Sequence, residues 1–216
     1  GLMIIFMFIA IAYMHEIREV NNGIIYITEG FQDKEKSLFN ELNKEFKNDL
    51  EDWNAYIDSK TLSIIFKEPD VLFKKGEFKI KMRFKEILND FFPRYIAILK
   101  SEKYEKEILA IRIEGHTSKE WLKNTKRKEA YLKNMRLSQM RASEVLDYIL
   151  EINLNNDYPW VRNKLQAVGY SSSKTKHLPN GKENKNLSRR VEFKVVTNTK
   201  EKLYSMINII NNGGSL

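Results

Sequence analysis

Residues 111–142 read IRIEGHTSKEWLKNTKRKEAYLKNMRLSQMRA, and the rest of the chain is arranged around this stretch. Its first part belongs to residues 109–114, in which apolar and polar side chains alternate as they do in a half-buried strand. Gly115 predicts the end of this strand, because an isolated glycine often interrupts a regular element. A polar loop is then expected at the carboxyl end of the strand, and its residues are His116, Thr117 and Ser118.

The second part of the stretch predicts a helix over about residues 134–152. Its apolar residues from 142 onward recur every three or four positions and form one buried stripe. Asn134, Leu137 and Arg141 have the same spacing and share a neighbouring face, which points toward the polar loop if helix and strand pack together. An amide, an apolar contact and a guanidinium can hold a carboxylate. The alternative is that Arg141 is a solvated surface residue.

Strands and helices alternate along the chain. The expected order is a strand at 61–67, a helical stripe at 84–95 interrupted by Pro93, a strand at 108–114, the helix at 134–152, a strand at 165–170, a polar loop at 171–188, a strand at 190–196 and a short helix at 200–210. Such alternation predicts an α/β fold, an α+β sandwich with its helices on one face of the sheet.

The amino-terminal run GLMIIFMFIAIAYM, residues 1–14, is almost entirely apolar. At about 1.5 Å per residue it spans roughly 21 Å as a helix, less than the ~30 Å hydrocarbon core of a bilayer. We interpret residues 1–16 as a transmembrane helix that is truncated at its start. The alternative is the core of a signal peptide, although the charged and bulky run that follows does not resemble a cleavage site.

Residues 17–60 predict a helical spacer. Apolar residues between Leu38 and Ile57 recur every three or four positions in a charged background, which indicates one amphipathic helix of about 25 residues. Its stripe either packs on the following domain or forms a dimer seam or a spacer. Residues 61–198 then form the globular domain, and residues 199–216 form a carboxyl-terminal tail.

Composition argues against an enzyme. The chain has no cysteine, so thiolate metal sites and cysteine nucleophiles are excluded. None of its three histidines has a second histidine at ligand spacing, and neither a phosphate-binding loop nor a serine-nucleophile motif is present. We therefore predict no cofactor and no metal, and expect His116 to fix its loop through hydrogen bonds. The net charge of +8 suits an anionic polymer, which is either cell wall or nucleic acid.

Four motifs, taken in order, resemble the OmpA-like peptidoglycan-binding domain. They are GHTS at 115–118, NMRLSQMRA at 134–142, VGY at 168–170 and RRVEF at 189–193. The resemblance covers about residues 62–196 and implies a domain that binds the peptide stem of peptidoglycan, without catalysis. The binding residues it implies are His116, Thr117, Ser118, Asn134, Leu137, Arg141 and Arg190.

The chain departs from this family pattern at two positions. In such domains an aspartate follows the GHT run and binds the ammonium group of diaminopimelate, while the helix arginine binds its carboxylate. Arg141 matches that arginine, but Ser118 stands at the aspartate position. Ser188 likewise replaces the asparagine that precedes the RRVE run of the family. The identity of the wall ligand therefore stays open.

The order of membrane helix, spacer and OmpA-like domain is similar to that of MotB stator subunits. Residues 1–14 and the GHTSKEW run are most similar to the ZorB family of Zorya anti-phage defence systems. This resemblance implies a single-pass inner-membrane protein with a periplasmic domain, a homodimer that anchors an ion-driven motor beside a multi-pass MotA-like or ZorA-like channel. It also implies an acidic coupling residue just before Gly1. The alternatives are a flagellar-type MotB stator subunit, a passive wall tether, or a basic nucleic-acid-binding module, against which the membrane segment argues.

Overall fold

The computed structural model describes residues 2–67, 71–122, 124–152 and 157–211. The helices are α1 (Leu2–Phe46), α2 (Met82–Leu99), α3 (Arg127–Glu151), α4 (Tyr158–Lys164), α5 (Lys185–Ser188) and α6 (Thr199–Asn211). The strands are β1 (Ala55–Asp58), β2 (Ser63–Lys67), β3 (Ile108–His116), β4 (Leu165–Gly169) and β5 (Arg190–Thr197), and a 3-10 turn covers Glu105–Glu107. The chain divides into two compact units, one of residues 38–197 and one of residues 1–37 with 198–216.

The larger unit contains a five-stranded sheet with the order β1-β2-β5-β3-β4. β3 and β4 pair in parallel, and the other neighbouring strands are antiparallel. Its core lies between one face of the sheet and the helices α2 and α3, as the α+β sandwich predicts. Aromatic rings fill the centre of this core, where Phe91 lies 5.2 Å from Phe66 and 5.1 Å from Phe193 between ring centroids.

The prediction for α2 is confirmed in its buried stripe. Phe84, Leu88, Phe91 and Tyr95 are all fully buried, because a spacing of three or four residues places them on one face. α2 is one helix that continues through Pro93, so the interruption expected at this residue does not divide it.

β3 continues to His116, so the prediction that Gly115 ends the strand is wrong. Gly115 pairs with Gly169 on one side and with Val191 on the other. A Cβ atom at Gly115 would lie 2.2 Å from the carbonyl oxygen of Ser138 in α3. The glycine is needed for the close approach of a helix backbone, which is a known reason for glycine inside a strand.

Two other features differ from the sequence prediction, the exposure of one side chain in β3 and the start of α3. Leu109 is 42% exposed although the alternation places it inward, because the pairing of β3 with β5 shifts register between Ile108 and Ala110. α3 begins at Arg127 and therefore starts about two turns before the predicted position.

The predicted amphipathic helix at residues 38–57 is only partly helical. α1 ends at Phe46, and a series of turns leads through Asn54, whose φ is 50°, into β1. Trp53 therefore lies in a turn and Ile57 in a strand. The apolar side chains of this helix end, Leu38, Leu42 and Phe46, are buried in the core of the larger unit, as the interpretation in which the stripe packs on the domain requires.

The smaller unit contains the beginning of α1 and α6. α6 confirms the short helix predicted at 200–210. Within this unit, the Thr199 hydroxyl donates a hydrogen bond to the Glu35 carboxylate at 3.2 Å. In the part of the chain that the structure describes, no helix combines the length and the apolar character needed to cross a membrane. The transmembrane interpretation of residues 1–16 stays a prediction.

Candidate functional site

A cavity of about 630 Å³ opens where β3 ends beside α3. It contains most of the predicted binding residues together with others from loops on both sides. The residues that line it are Phe73, Lys75, Gly76, Thr117, Ser118, Glu120, Trp121, Leu122, Asn134, Leu137, Arg141 and Arg189. The structure therefore brings Thr117, Ser118, Asn134, Leu137 and Arg141 together, while His116 and Arg190 lie elsewhere.

The loop after β3 is held in place by Asn134. Its Nδ2 amide donates to the carbonyl oxygens of Ser118 at 3.1 Å and Glu120 at 3.2 Å. The backbone amide of Thr117 also donates to the carbonyl of Ser171 at 2.9 Å. Because Asn134 is only 2% exposed, its main role is to shape the loop that forms one wall of the cavity.

Arg141 is oriented by the opposite wall. Its Nε donates to the carbonyl of Glu77 at 2.9 Å, and Nη2 donates to the carbonyl of Lys74 at 3.4 Å. The guanidinium also lies over the ring of Phe73, 4.7 Å from its centroid. Arg141 is 4% exposed, so it is not the solvated surface residue of the alternative interpretation. A guanidinium held in this way is preorganised for a carboxylate.

The cavity is electropositive, because three cations and one carboxylate line it. The cations are those of Lys75, Arg141 and Arg189, and the carboxylate is that of Glu120. The Nε atom of Arg189 is buried and has no hydrogen-bond partner among the described residues, and the same holds for the Thr117 hydroxyl. Buried polar atoms are rarely left unpaired, so both atoms favour a ligand that accepts hydrogen bonds here.

A family model described as the OmpA family matches residues 72–189. The chain belongs to the OmpA family. It is 46% identical over 208 residues to the Zorya protein ZorB of Escherichia coli, a match that covers 96% of this chain and 88% of that protein.

The chain is also similar to solved structures, and the first of those named here shares its fold. A MotB-like protein from Desulfovibrio vulgaris is 23% identical, with a TM-score of 0.51 over 78% of this chain and 94% of that chain. The periplasmic domain of Helicobacter pylori MotB is 21% identical, with a TM-score of 0.44 over 68% of this chain and 85% of that chain. The cell wall anchor of the T6SS from Pseudomonas aeruginosa is 18% identical, with a TM-score of 0.48 over 72% of this chain and 96% of that chain.

In this OmpA-family domain, Ser118 occupies the position where the resemblance implies an aspartate. Ser118 is 4% exposed, and its carbonyl is bonded to Asn134. The loop thus keeps its shape through the backbone and does not need a carboxylate at this position.

Arg190 was predicted to bind ligand, but it lies on the other face of the sheet, and Arg189 lines the cavity instead. Arg190 is the first residue of β5, whereas Arg189 follows α5 in the preceding loop, so the two arginines of the pair separate. Arg190 is 3% exposed and donates from Nε to Glu192 at 2.6 Å and from Nη1 to the Ser188 carbonyl at 3.0 Å. It therefore holds the polar loop before β5. The sequence contains no local signal that distinguishes the two.

His116 lies behind the cavity, since it continues the alternation of β3 and faces away from α3. Its ring stacks on Tyr170 with centroids 5.1 Å apart, and Nε2 lies 3.6 Å from Glu114 and 3.5 Å from Glu192. Neither ring nitrogen has a hydrogen-bond partner among the described residues, so the predicted hydrogen-bonding role of His116 is wrong. The histidine packs at the strand end through its stacking on Tyr170 and lies beside two buried carboxylates.

Burial governs the ionisation of this histidine. It lowers the pKa of His116 and outweighs the opposing effect of Glu114. Burial acts to raise the pKa of Glu114, but His116 and the ammonium groups of Lys174 and Lys194 outweigh it, and the pKa of Glu114 is lowered.

Glu114, His116 and Glu192 place possible metal-ligating atoms within 4.8 Å of one another. Cations of the chain already face both carboxylates. Arg190 bonds Glu192 at 2.6 Å, and the Lys174 ammonium lies 3.8 Å from Glu114. These charges balance the cluster as a network of ion pairs, so we assign it a structural role in the sheet.

Proposed function

We propose that this chain binds the peptide stem of peptidoglycan in the cavity and anchors a membrane complex to the cell wall. The observation that carries the proposal is Arg141, which is buried and aligned by two backbone carbonyls on the wall of an electropositive cavity. Membership of the OmpA family supports a binding domain rather than an enzyme.

The cavity offers two kinds of contact to such a ligand. Arg141 and Arg189 supply donors for a stem-peptide carboxylate, and charge-assisted hydrogen bonds of this kind contribute roughly 1.5–3 kcal/mol each. Trp121, Leu122 and Leu137 supply apolar surface for an aliphatic side chain. A ligand that joins a methylene chain to a carboxylate, as diaminopimelate does, satisfies both.

The wider role that we propose follows the ZorB relative, to which the chain is similar over nearly its whole length. In this proposal the chain is the wall-anchoring subunit of an inner-membrane, ion-driven motor in anti-phage defence. Residues 1–16 belong to a single membrane pass, the domain lies in the periplasm, two copies form a homodimer, and a multi-pass MotA-like or ZorA-like channel is the partner. A flagellar-type stator subunit and a passive OmpA-like wall tether are the alternatives.

The test is a pull-down with purified sacculi. Arg141→Ala removes a charge-assisted contact and is expected to weaken the affinity for sacculi roughly tenfold. Most of the protein that sediments with sacculi in the wild type should then stay in the supernatant. Arg189→Ala is expected to weaken binding as well, and since Arg189 is a partly exposed loop residue its loss leaves the core intact. Arg136→Ala is the matched control, because Arg136 is an exposed arginine that lies in α3, as Arg141 does, but outside the cavity. This variant is expected to keep full binding.

The fold of each variant is checked by circular dichroism. Folded Arg141→Ala and Arg189→Ala chains that sediment with sacculi as well as wild type would contradict the proposed site.

A further inference from the structure

We infer that the turn at residues 74–77 positions Arg141 for its ligand, and that Gly76 is the residue on which the shape of this turn depends. The inference rests on the peptidoglycan-binding function proposed above and deepens it, because it names the element that orients the binding arginine. The turn lies between β2 and α2, and it contributes Lys75 and Gly76 to the lining of the cavity.

The turn is the tip of a short hairpin. Phe73 and Ile80 form an antiparallel bridge, and the amide of Lys81 donates to the carbonyl of Leu72 at 3.0 Å. The apolar residues at this base are buried in the core, whereas residues 74–77 are exposed. The core therefore fixes the base of the hairpin, and the tip depends on its own backbone geometry.

That geometry is closed by one hydrogen bond and one unusual backbone angle. The amide of Glu77 donates to the carbonyl of Lys74 at 3.0 Å, which makes residues 74–77 a β-turn. Gly76 occupies the third position of the turn with a φ of 76°. A positive φ at this position favours glycine, with asparagine next, because most other side chains strain the backbone there.

The two carbonyls that orient Arg141 are those of the first and the last residue of this turn. Its Nε donates to the carbonyl of Glu77 and its Nη2 to the carbonyl of Lys74. Rotation about the N–Cα bond of Gly76 turns the chain that follows, so it moves the Glu77 carbonyl relative to that of Lys74. Because a guanidinium is a rigid planar fork of donors, its direction follows the positions of its acceptors. The φ of Gly76 thus sets the direction in which Arg141 meets a carboxylate.

A second glycine allows this role to be separated from the general strain of a substitution. Gly181 has a φ of 78° in the polar loop between β4 and β5, and it does not line the cavity. No atom lies within 4 Å of an added Cβ at either glycine. Substitutions at Gly76 and Gly181 therefore act through the same backbone angle without a steric clash at that Cβ, and only the first reaches Arg141.

The experiment measures the affinity of the full chain for purified sacculi by sedimentation over a range of protein concentrations. Valine is branched at Cβ and strongly disfavours a positive φ, whereas asparagine tolerates it. Gly76→Val is expected to weaken binding severalfold, up to the roughly tenfold loss expected of Arg141→Ala. Gly76→Asn is expected to lose much less, and Gly181→Val, the matched control, is expected to bind as wild type does.

A double variant tests whether the turn acts through the arginine. Once Arg141→Ala has removed the side chain, adding Gly76→Val should cause little further loss, because residues that act as one unit are not additive. Circular dichroism verifies that each variant is folded.

Four results would overturn the inference while leaving the proposed function standing. They are wild-type affinity in Gly76→Val, an equal loss in Gly76→Asn, an equal loss in Gly181→Val, and a full additional loss in the double variant. A folded Arg141→Ala chain with wild-type affinity would instead contradict the proposed function and this inference with it.

Discussion

Replacing Gly115 by alanine is expected to force α3 away from the sheet. The new Cβ would lie 2.2 Å from the carbonyl oxygen of Ser138, whereas Cβ atoms essentially never approach below 3.0 Å. The obstacle is backbone, so no side-chain rotation relieves it. The helix and the strand must separate by at least 3.0 − 2.2 = 0.8 Å, and by 3.4 − 2.2 = 1.2 Å to reach ordinary contact.

This separation has a calculable cost. Overpacking a core typically costs about 1–3 kcal/mol, and the upper end applies because neither backbone can yield locally. The Ser138 hydroxyl accepts a hydrogen bond from the Ser171 amide at 2.9 Å, and its loss adds about 1 kcal/mol. α3 cannot tilt toward β4 instead, since a Cβ at Gly169 would already lie 2.6 Å from the Gln139 nitrogen. We expect a loss of about 3–4 kcal/mol in the free energy of unfolding.

Thermal unfolding followed by circular dichroism measures the effect. For a unit of residues 38–197, about 3 kcal/mol corresponds to a fall in Tm of roughly 6–12 °C. Gly30→Ala is the control, because nothing lies within 4 Å of its added Cβ and alanine is the better helix former. A Gly115→Ala chain that melts within about 2 °C of wild type would refute the close approach of α3 to β3.

Two further predictions concern buried titratable groups. Tyr95→Phe should raise the free energy of unfolding by about 1 kcal/mol in urea titrations, since the buried hydroxyl has no hydrogen-bond partner among the described residues; a loss of stability would show that the hydroxyl is satisfied. Because burial lowers the pKa of His116, the unfolded chain binds a proton that the folded chain refuses, so its contribution to stability is full above a pH of about 6.5 and falls below it. The lowered pKa of Glu114 adds a second loss below a pH of about 4.3. His116→Gln should flatten the dependence of Tm on pH between about 5 and 6.5. A variant whose slope in this range equals that of wild type would contradict this assignment.

The spacing of residues along the sequence correctly predicts a buried or shared face when all of its residues belong to one helix or one strand. The stripe of α2 and the shared face of Asn134, Leu137 and Arg141 follow from helical spacing, and the structure places both as predicted. The apolar spacing at 38–57 misleads because the same core buries a helix end, a turn and a strand one after another. The spacing of apolar residues indicates which side chains are buried. In residues 38–57 the buried side chains continue while the secondary structure changes.

Other features depend on contacts between residues far apart in the chain. From the sequence alone, Gly115 predicts the end of a strand. Its actual role, to allow the close approach of the Ser138 backbone, depends on a contact between distant parts of the chain. The choice between Arg189 and Arg190 depends on where β5 begins, because Arg190 belongs to the sheet and Arg189 to the loop before it. Arg141 is oriented by hydrogen bonds to the backbone carbonyls of Lys74 and Glu77. Every residue has such a carbonyl, so the pattern of side chains does not predict these bonds.

Some residues of the site hold its architecture and others line its cavity, which explains why the ligand is harder to predict than the fold. Asn134 holds a loop, and His116 and Arg190 hold the strand ends behind the cavity, so three of the residues implied by the family resemblance serve the architecture. The charged residues that line the cavity from loops between regular elements are Lys75, Glu120 and Arg189. The Asn134 amide donates to the backbone carbonyls of residues 118 and 120, so these bonds that shape the loop do not depend on which side chain stands at position 118. A domain built in this way keeps its recognisable motifs while the side chains on the loops that line its cavity differ from the family pattern.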